Sequence, residues 1–222
     1  MVLIDWQTTT HMSEGANLIQ IFARAPVLGQ TKSRLASELG EGVALHWYRV
    51  LLARTLATVR QLPDLAIEVW HPAEDDDYPL MELINDASVA LYPQASGDLG
   101  QKMSNALEIG LTRSERVLLI GADCPVWTVS LLRQAMDGIS SASALFVPAD
   151  DGGYVGVGVS GSVPRLFSDI DWGTGRVMEQ TRERASEQGV SISEMSPLWD
   201  VDIAADVNRW LAMEPHLPRP IA

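Results

Sequence analysis

The chain has 222 residues, 46% apolar and 20% charged, which suffices for one domain with a sizeable core and excludes a disordered or fibrous protein. Its formal net charge of −13 at pH 7 argues against a nucleic-acid or anionic-lipid partner, and the lone cysteine, Cys124, excludes an internal disulfide and a thiolate-rich zinc site and points to the cytoplasm. No apolar run approaches the ~20 residues of a membrane span, and residues 1–17, without Lys or Arg, read as a flexible extension rather than a secretory leader.

From there, short apolar runs alternate with amphipathic ones. Residues 18–24 (LIQIFAR) predict a first strand, and 43–59 a crossover helix with Val43, Trp47, Val50 and Leu51 on one face. Strands follow at 66–71 and 88–93, then a helix over 97–112 with Leu99, Met103, Ala106 and Leu107 in phase. A strand at 117–123 leads into a helix over 126–139 opened by Pro125. Strands at 144–150 and 154–159 precede a helix over 173–189 stopped by Gly189 and a last one over 203–213. This rhythm predicts an α/β fold: a single domain over 18–213, with a mostly parallel central sheet flanked by helices, and a tail at 214–222. In such sheets ligands sit at the carboxyl ends of the strands.

Polar clusters gather at those ends. RAPVLGQTKSR (24–34) joins a glycine turn to Lys32 and Arg34, as a phosphate receptor does, although a solvated loop with helix-capping charges would look alike. It lacks the Walker pattern, since Thr31 stands where a glycine must precede the lysine. In LLIGADCP, Asp123 ends a buried run and suits a hard divalent cation, or a helix cap. In PADDGGYVGVG, Asp150 or Asp151 suits sugar-like hydroxyls and Gly152 and Gly153 admit close approach, while Asp-Gly equally marks a hairpin. In LWDVDIAADV, Asp200 and Asp202 alternate in direction, so one is expected to face the crevice, with Asp202 the better choice or else an N-cap. Cys124 has no neighbouring histidine, and the four histidines lack ligand spacing, so a cysteine nucleophile, a histidine zinc site and a Ser-His-Asp triad are disfavoured.

In this order, KSRL, GDLGQKM, LLIGADCP, PADDGGYVGVG, FSDIDWGTGRV and DVDIAADV resemble the radical-SAM/selenodomain-associated transferases, relatives of the nucleotide-diphospho-sugar transferases of GT-A type. The resemblance runs from about Leu18 to Leu211. It implies a GT-A-like fold and a Mg2+- or Mn2+-dependent transferase that moves a glycosyl or nucleotidyl group from a nucleotide-sugar or nucleoside triphosphate donor to a small-molecule acceptor. By the same resemblance, Ala25, Gly29, Lys32 and Arg34 contact the donor's phosphates, and Gly97, Asp98 and Gly100 lie beside nucleotide or acceptor. Asp123 is the implied metal ligand and Asp202 a second. Asp151, Gly152, Gly153 and Tyr154 line the acceptor side with Trp172 and Thr174, and Lys32, Arg34, Asp123 and Asp151 are the implied catalytic set. Trp172-Gly173-Thr174 lacks one hydroxyl of the family's Trp-Ser-Thr, and Gly-Ala-Asp123 lacks the first carboxylate of Asp-x-Asp. Those departures leave a catalytically silent nucleotide or sugar-phosphate binder as the alternative, with a scaffolding domain as a third reading.

Overall fold

A computed structural model describes residues 17–139 and 142–220, so the expected extension over 1–17 lies, but for Asn17, outside the described residues. Strand β1 (Asn17–Phe22) is followed by helices α1 (Ser33–Leu39) and α2 (Glu41–Val59), then β2 (Leu65–His71), α3 (Tyr78–Ile84) and β3 (Ala90–Pro93). Helix α4 (Leu99–Leu111), β4 (Arg116–Gly121) and α5 (Val129–Gly138) come next. Strands β5 (Ala144–Pro148) and β6 (Tyr154–Ser160) form a hairpin, and α6 (Val177–Gln188), β7 (Ile192–Glu194) and α7 (Ala204–Met213) complete the order.

The seven strands make one sheet in the order β3-β2-β1-β4-β6-β5-β7. Only β6 runs against its neighbours, so the carboxyl ends of β1, β2, β4 and β5 share one rim. The middle strands are near-continuous apolar runs because both faces are covered. Ile19, Ile21, Leu118 and Ile120 face Leu52, Leu56 and Leu132 of α2 and α5. Leu18, Val117, Phe146 and Val157 face Met103, Leu107 and Met178 of α4 and α6. A third cluster seats α7 on α1 and α2: Trp210 is fully buried, its ring 5.8 Å from that of Trp47. Residues 214–220 continue along α2, where Glu214 pairs with Arg54 at 2.7 Å and the Pro218 carbonyl lies 2.8 Å from His46 Nε2.

All six predicted strands are present. The predicted helix over 126–139 starts later, at Val129, because the Thr128 side chain accepts the Leu131 N–H and so caps it; Pro125 lies upstream. Asp123 is therefore no cap. Nor is Asp202, since α7 starts after Ile203 and the carboxylate receiving the Asp202 and Ile203 amides is that of Asp206. Helices α1 and α3 and strand β7, each seven residues or fewer, are additions to the predicted set.

Candidate active site

Two cavities meet on the rim, sharing Phe22, Leu99 and Asp123. The larger, about 780 Å3, lies beside the loop after β1 and includes Arg24, Gly29, Thr31, Lys32, Lys102 and Asp202. The chain has two lysines in all, and both line this cavity. The smaller, about 340 Å3, lies toward the β5–β6 hairpin and includes Arg34, Asp151, Gly153, Tyr154, Trp172 and Asp200.

The loop after β1 is held from both sides. The Tyr48 hydroxyl accepts the Arg24 N–H at 2.7 Å and donates to the Arg24 carbonyl at 2.8 Å. Burial, then the negative charge of Asp123, push the Tyr48 phenol upward, so it stays a neutral clamp. The loop ends at Lys32, which takes a left-handed conformation (φ 51°) that favours glycine. Its side chain is 5% exposed and places Nζ 2.6 Å from Asp123 Oδ2, across the seam between the cavities. Thr31 is buried and its hydroxyl has no hydrogen-bond partner among the described residues, although it lines the larger cavity. Arg34, on the first turn of α1, reaches Asp202 at 2.8 Å.

Several expected contacts have structural employment instead. The Ala25 amide donates to Asp75, whose carboxylate is almost fully buried and also pairs with Arg24, so this amide is already satisfied and lines neither cavity. Asp98 is the N-cap of α4: it accepts the Gln101 N–H at 2.8 Å while the Gln101 side chain accepts the Asp98 N–H, a reciprocal capping box. Gly97 (φ 113°) makes the entry turn, and Gly100 is required because a Cβ would strike the Phe167 carbonyl and Trp172. Leu99, Lys102 and Met103 of this motif reach the cavities, while Gly97, Asp98 and Gly100 do not.

The hairpin resolves the paired aspartates of PADDGG. Asp150 leaves the site and pairs with Arg209 of α7 at 2.9 Å. Asp151 lines the smaller cavity and accepts the Gly153 N–H at 2.9 Å. Gly152 (φ 91°) lines neither cavity; it packs on the Gly175 backbone, where a Cβ has no room. Thr174 belongs to the smaller cavity, and its hydroxyl is donated to the Asp171 carbonyl at 2.7 Å.

The expectation that one of Asp200 and Asp202 faces the crevice is corrected: each enters a different cavity. Asp202 lines the larger and Asp200 the smaller. Burial pushes the Asp200 carboxyl up to about 6, and the charges of Asp151 and Asp123 add to this against the opposing pull of Lys32. The signal for Asp200 was the bare alternation of the segment, which gives direction but not what stands on either side. Cys124 is buried and its thiol is pushed up to about 12, mainly by burial, which fits its weak standing as a nucleophile.

Among the described residues no group of three or more His, Cys, Asp or Glu forms a protein-only metal cage. Small divalent cations at phosphate sites commonly take one or two carboxylates and complete their shell with water and substrate oxygens. Asp123, its side chain 39% exposed where the cavities meet, fits that manner of binding, with the Lys32 ammonium as a competitor for the same oxygen.

The profile of a family described as uncharacterized proteins conserved in bacteria, DUF2064, matches residues 55–174, more than half of the chain. The chain belongs to the DUF2064 family. The matched stretch contains Asp123, Asp151 and Trp172 and leaves Lys32, Arg34, Asp200 and Asp202 outside it. No curated protein matches the sequence. Among solved structures, this DUF2064 chain superposes on a candidate nucleotide-diphospho-sugar transferase from Desulfovibrio desulfuricans G20 with a TM-score of 0.84, 24% identity and coverage of 91% of this chain and 89% of that one. It also superposes on CMP:2-keto-3-deoxy-manno-octonic acid synthetase complexed with CTP (TM-score 0.59, 10% identity, 90% and 99% covered). A third is Rv0371c of Mycobacterium tuberculosis H37Rv in complex with manganese (0.53, 15%, 91% and 100%). The DUF2064 domain thus has the fold of nucleotide-diphospho-sugar and cytidylyl transferases.

Proposed function

We propose that the protein is a transferase dependent on Mg2+ or Mn2+, using a nucleoside triphosphate or nucleotide-sugar donor and a small-molecule acceptor. The observation that carries this reading is the meeting, on one rim, of both lysines of the chain with Arg24, Arg34, Asp123 and Asp202, residues drawn from distant parts of the sequence. Although the chain's overall charge is −13, Arg24, Lys32 and Lys102 gather round the larger cavity beside Glu74, Asp123 and Asp202, a mixed local field that suits an anion held together with a divalent cation. The structural neighbours with CTP and with manganese support the donor class and the cation by likeness of fold.

In this reading the donor's phosphates lie in the larger cavity, where Lys32 and Lys102 offset their charge and Gly29 lets the backbone come close. Asp123, with Asp202, would hold a divalent cation, which when bound spreads the negative charge developing on the leaving phosphate. The acceptor hydroxyl enters from the smaller cavity, where Asp151 receives its proton as the oxygen bonds to the transferred group. The departing piece is pyrophosphate from a triphosphate, or the nucleotide from a nucleotide-sugar. Lys32 stands between the two cavities and stabilises the charge on the leaving side.

Titration calorimetry with CTP, UTP and UDP-glucose, with and without Mn2+, tests the reading. We expect the cation to tighten nucleotide binding about tenfold or more, worth about 1.4 kcal/mol, and Asp123→Ala to remove that increment. Wild-type metal enhancement in the Asp123→Ala protein would overturn the metal assignment. A silent binder is the second reading, favoured by the Lys32–Asp123 and Arg34–Asp202 pairs, which already neutralise both carboxylates. It predicts tight nucleotide binding without a metal increment and no released product.

A further inference from the structure

The two cavities differ sharply in chemistry, and the smaller one limits what an acceptor can be. Its inner wall is apolar: Phe22, Met103, Leu119, Tyr154, Val157 and Trp172. Tyr154 and Trp172 stand edge to face with ring centroids 6.3 Å apart, and the Trp172 indole N–H has no hydrogen-bond partner among the described residues. Its mouth carries three carboxylates, of which Asp123 is offset by Lys32 at 2.6 Å while Asp151 and Asp200 have no cation paired with them among the described residues, and the lining cation Arg34 is taken up by Asp202. The larger cavity balances Glu74, Asp123 and Asp202 with three cations, Arg24, Lys32 and Lys102.

We infer that the smaller cavity takes an uncharged alcohol with an apolar ring or branched chain, and rejects phosphorylated and carboxylated compounds. A second anion here would face Asp151 and Asp200, with Lys32 and Arg34 already engaged by Asp123 and Asp202. A free sugar could pair hydroxyls only with the carboxylates, Thr174 and the polar atoms of Tyr154 and Trp172, and each hydroxyl set instead against the aliphatic wall would cost about 1–3 kcal/mol. An apolar body instead exchanges water for aromatic and aliphatic surface, and 340 Å3 is at the small end of pockets that enclose such ligands. The hydroxyl is then left at the mouth beside Asp151 and Asp200, facing the donor cavity across Asp123. Calling this alcohol the acceptor rests on the proposed function; its binding does not.

Met103 supplies a reporter inside the cavity. With 13C-methyl methionine, its resonance, assigned through Met103→Leu, is followed during titration with 2-phenylethanol, phenyl phosphate, phenylacetate and glucose, with no nucleotide or metal added. We expect 2-phenylethanol to shift it saturably and the two anions to bind at least tenfold more weakly. Asp151→Asn keeps an oxygen acceptor for the Gly153 amide and should narrow that gap. An anion or glucose binding as well as the alcohol, a gap unchanged in Asp151→Asn, or a Met103 methyl silent to 2-phenylethanol would each overturn the inference. Because nucleotide is absent, failure of nucleotide binding in the calorimetry is a separate result and leaves this one standing.

Discussion

Asp200 shows how far a single residue's role follows from its neighbours in space. Alternation along LWDVDI placed Asp200 and Asp202 on opposite sides, but a second cavity on the far side of the segment was not legible. It arises because the segment docks across the rim: Ala149 bridges Leu198, the Asp150 amide donates to the Leu198 carbonyl, and the Val201 amide donates to the Asp123 carbonyl. Those backbone bonds press Asp200 into the smaller cavity beside Asp151, and burial raises its carboxyl to about 6. A carboxyl raised in the folded state binds protons that the unfolded chain has released, so its contribution to stability is complete below about pH 4 and is lost as pH rises through about 6. Asp200→Asn removes the ionised form. It should therefore stabilise the fold at pH 7 by on the order of 1–2 kcal/mol, after allowance for solvent screening at the cavity mouth, and by almost nothing at pH 4. Urea denaturation of both proteins at the two pH values measures this. An equal effect at both would mean that the gain comes from packing rather than charge.

At the level of elements, the strands were legible because parallel strands buried on both faces are written as uninterrupted apolar runs, and the long helices because their buried positions recur at helical spacing. What escaped was short. Helix α1 is cut from α2 by Gly40 (φ 86°), α3 opens within DDDYP, which reads as a loop, and β7 is a three-residue edge strand without buried residues. Motif reading had a different weakness, visible in GDLGQKM. Its Asp98 and Gly97 resembled ligand contacts, but local chemistry uses both to start α4, and the residues that reach the cavities are Leu99, Lys102 and Met103 further into the helix. The candidate residues that do lie on the rim are those whose charge serves no cap or turn, such as Lys32 and Asp123. Asp98→Ala should thus act on the helix: a loss of about 1 kcal/mol in urea denaturation, with nucleotide affinity reduced less than twofold. A tenfold loss of affinity at unchanged stability would restore Asp98 to the ligand.

Across the whole molecule, the chain's last third closes over its first. Helix α7 and the residues after it bind α1 and α2 through Trp210 against Trp47, Glu214 against Arg54 and Pro218 against His46, and Arg209 reaches from α7 over Trp199 to Asp150 at the hairpin. Arg34 on α1 and Asp202 ahead of α7 therefore meet because this packing holds both helices on one side of the sheet. Trp210→Ala should cost about 3–5 kcal/mol by leaving a large cavity, and calorimetry should show a matching fall in Tm; a change of less than about 1 kcal/mol would mean that α7 is not part of the cooperative core. The scarcity of lysine has a practical corollary. Since Lys32 and Lys102 are the chain's sole side-chain amines and Lys32 lies buried against Asp123, side-chain acylation falls on Lys102, and mass spectrometry of that labelled peptide gives a footprint whose loss reports what fills the recess around it.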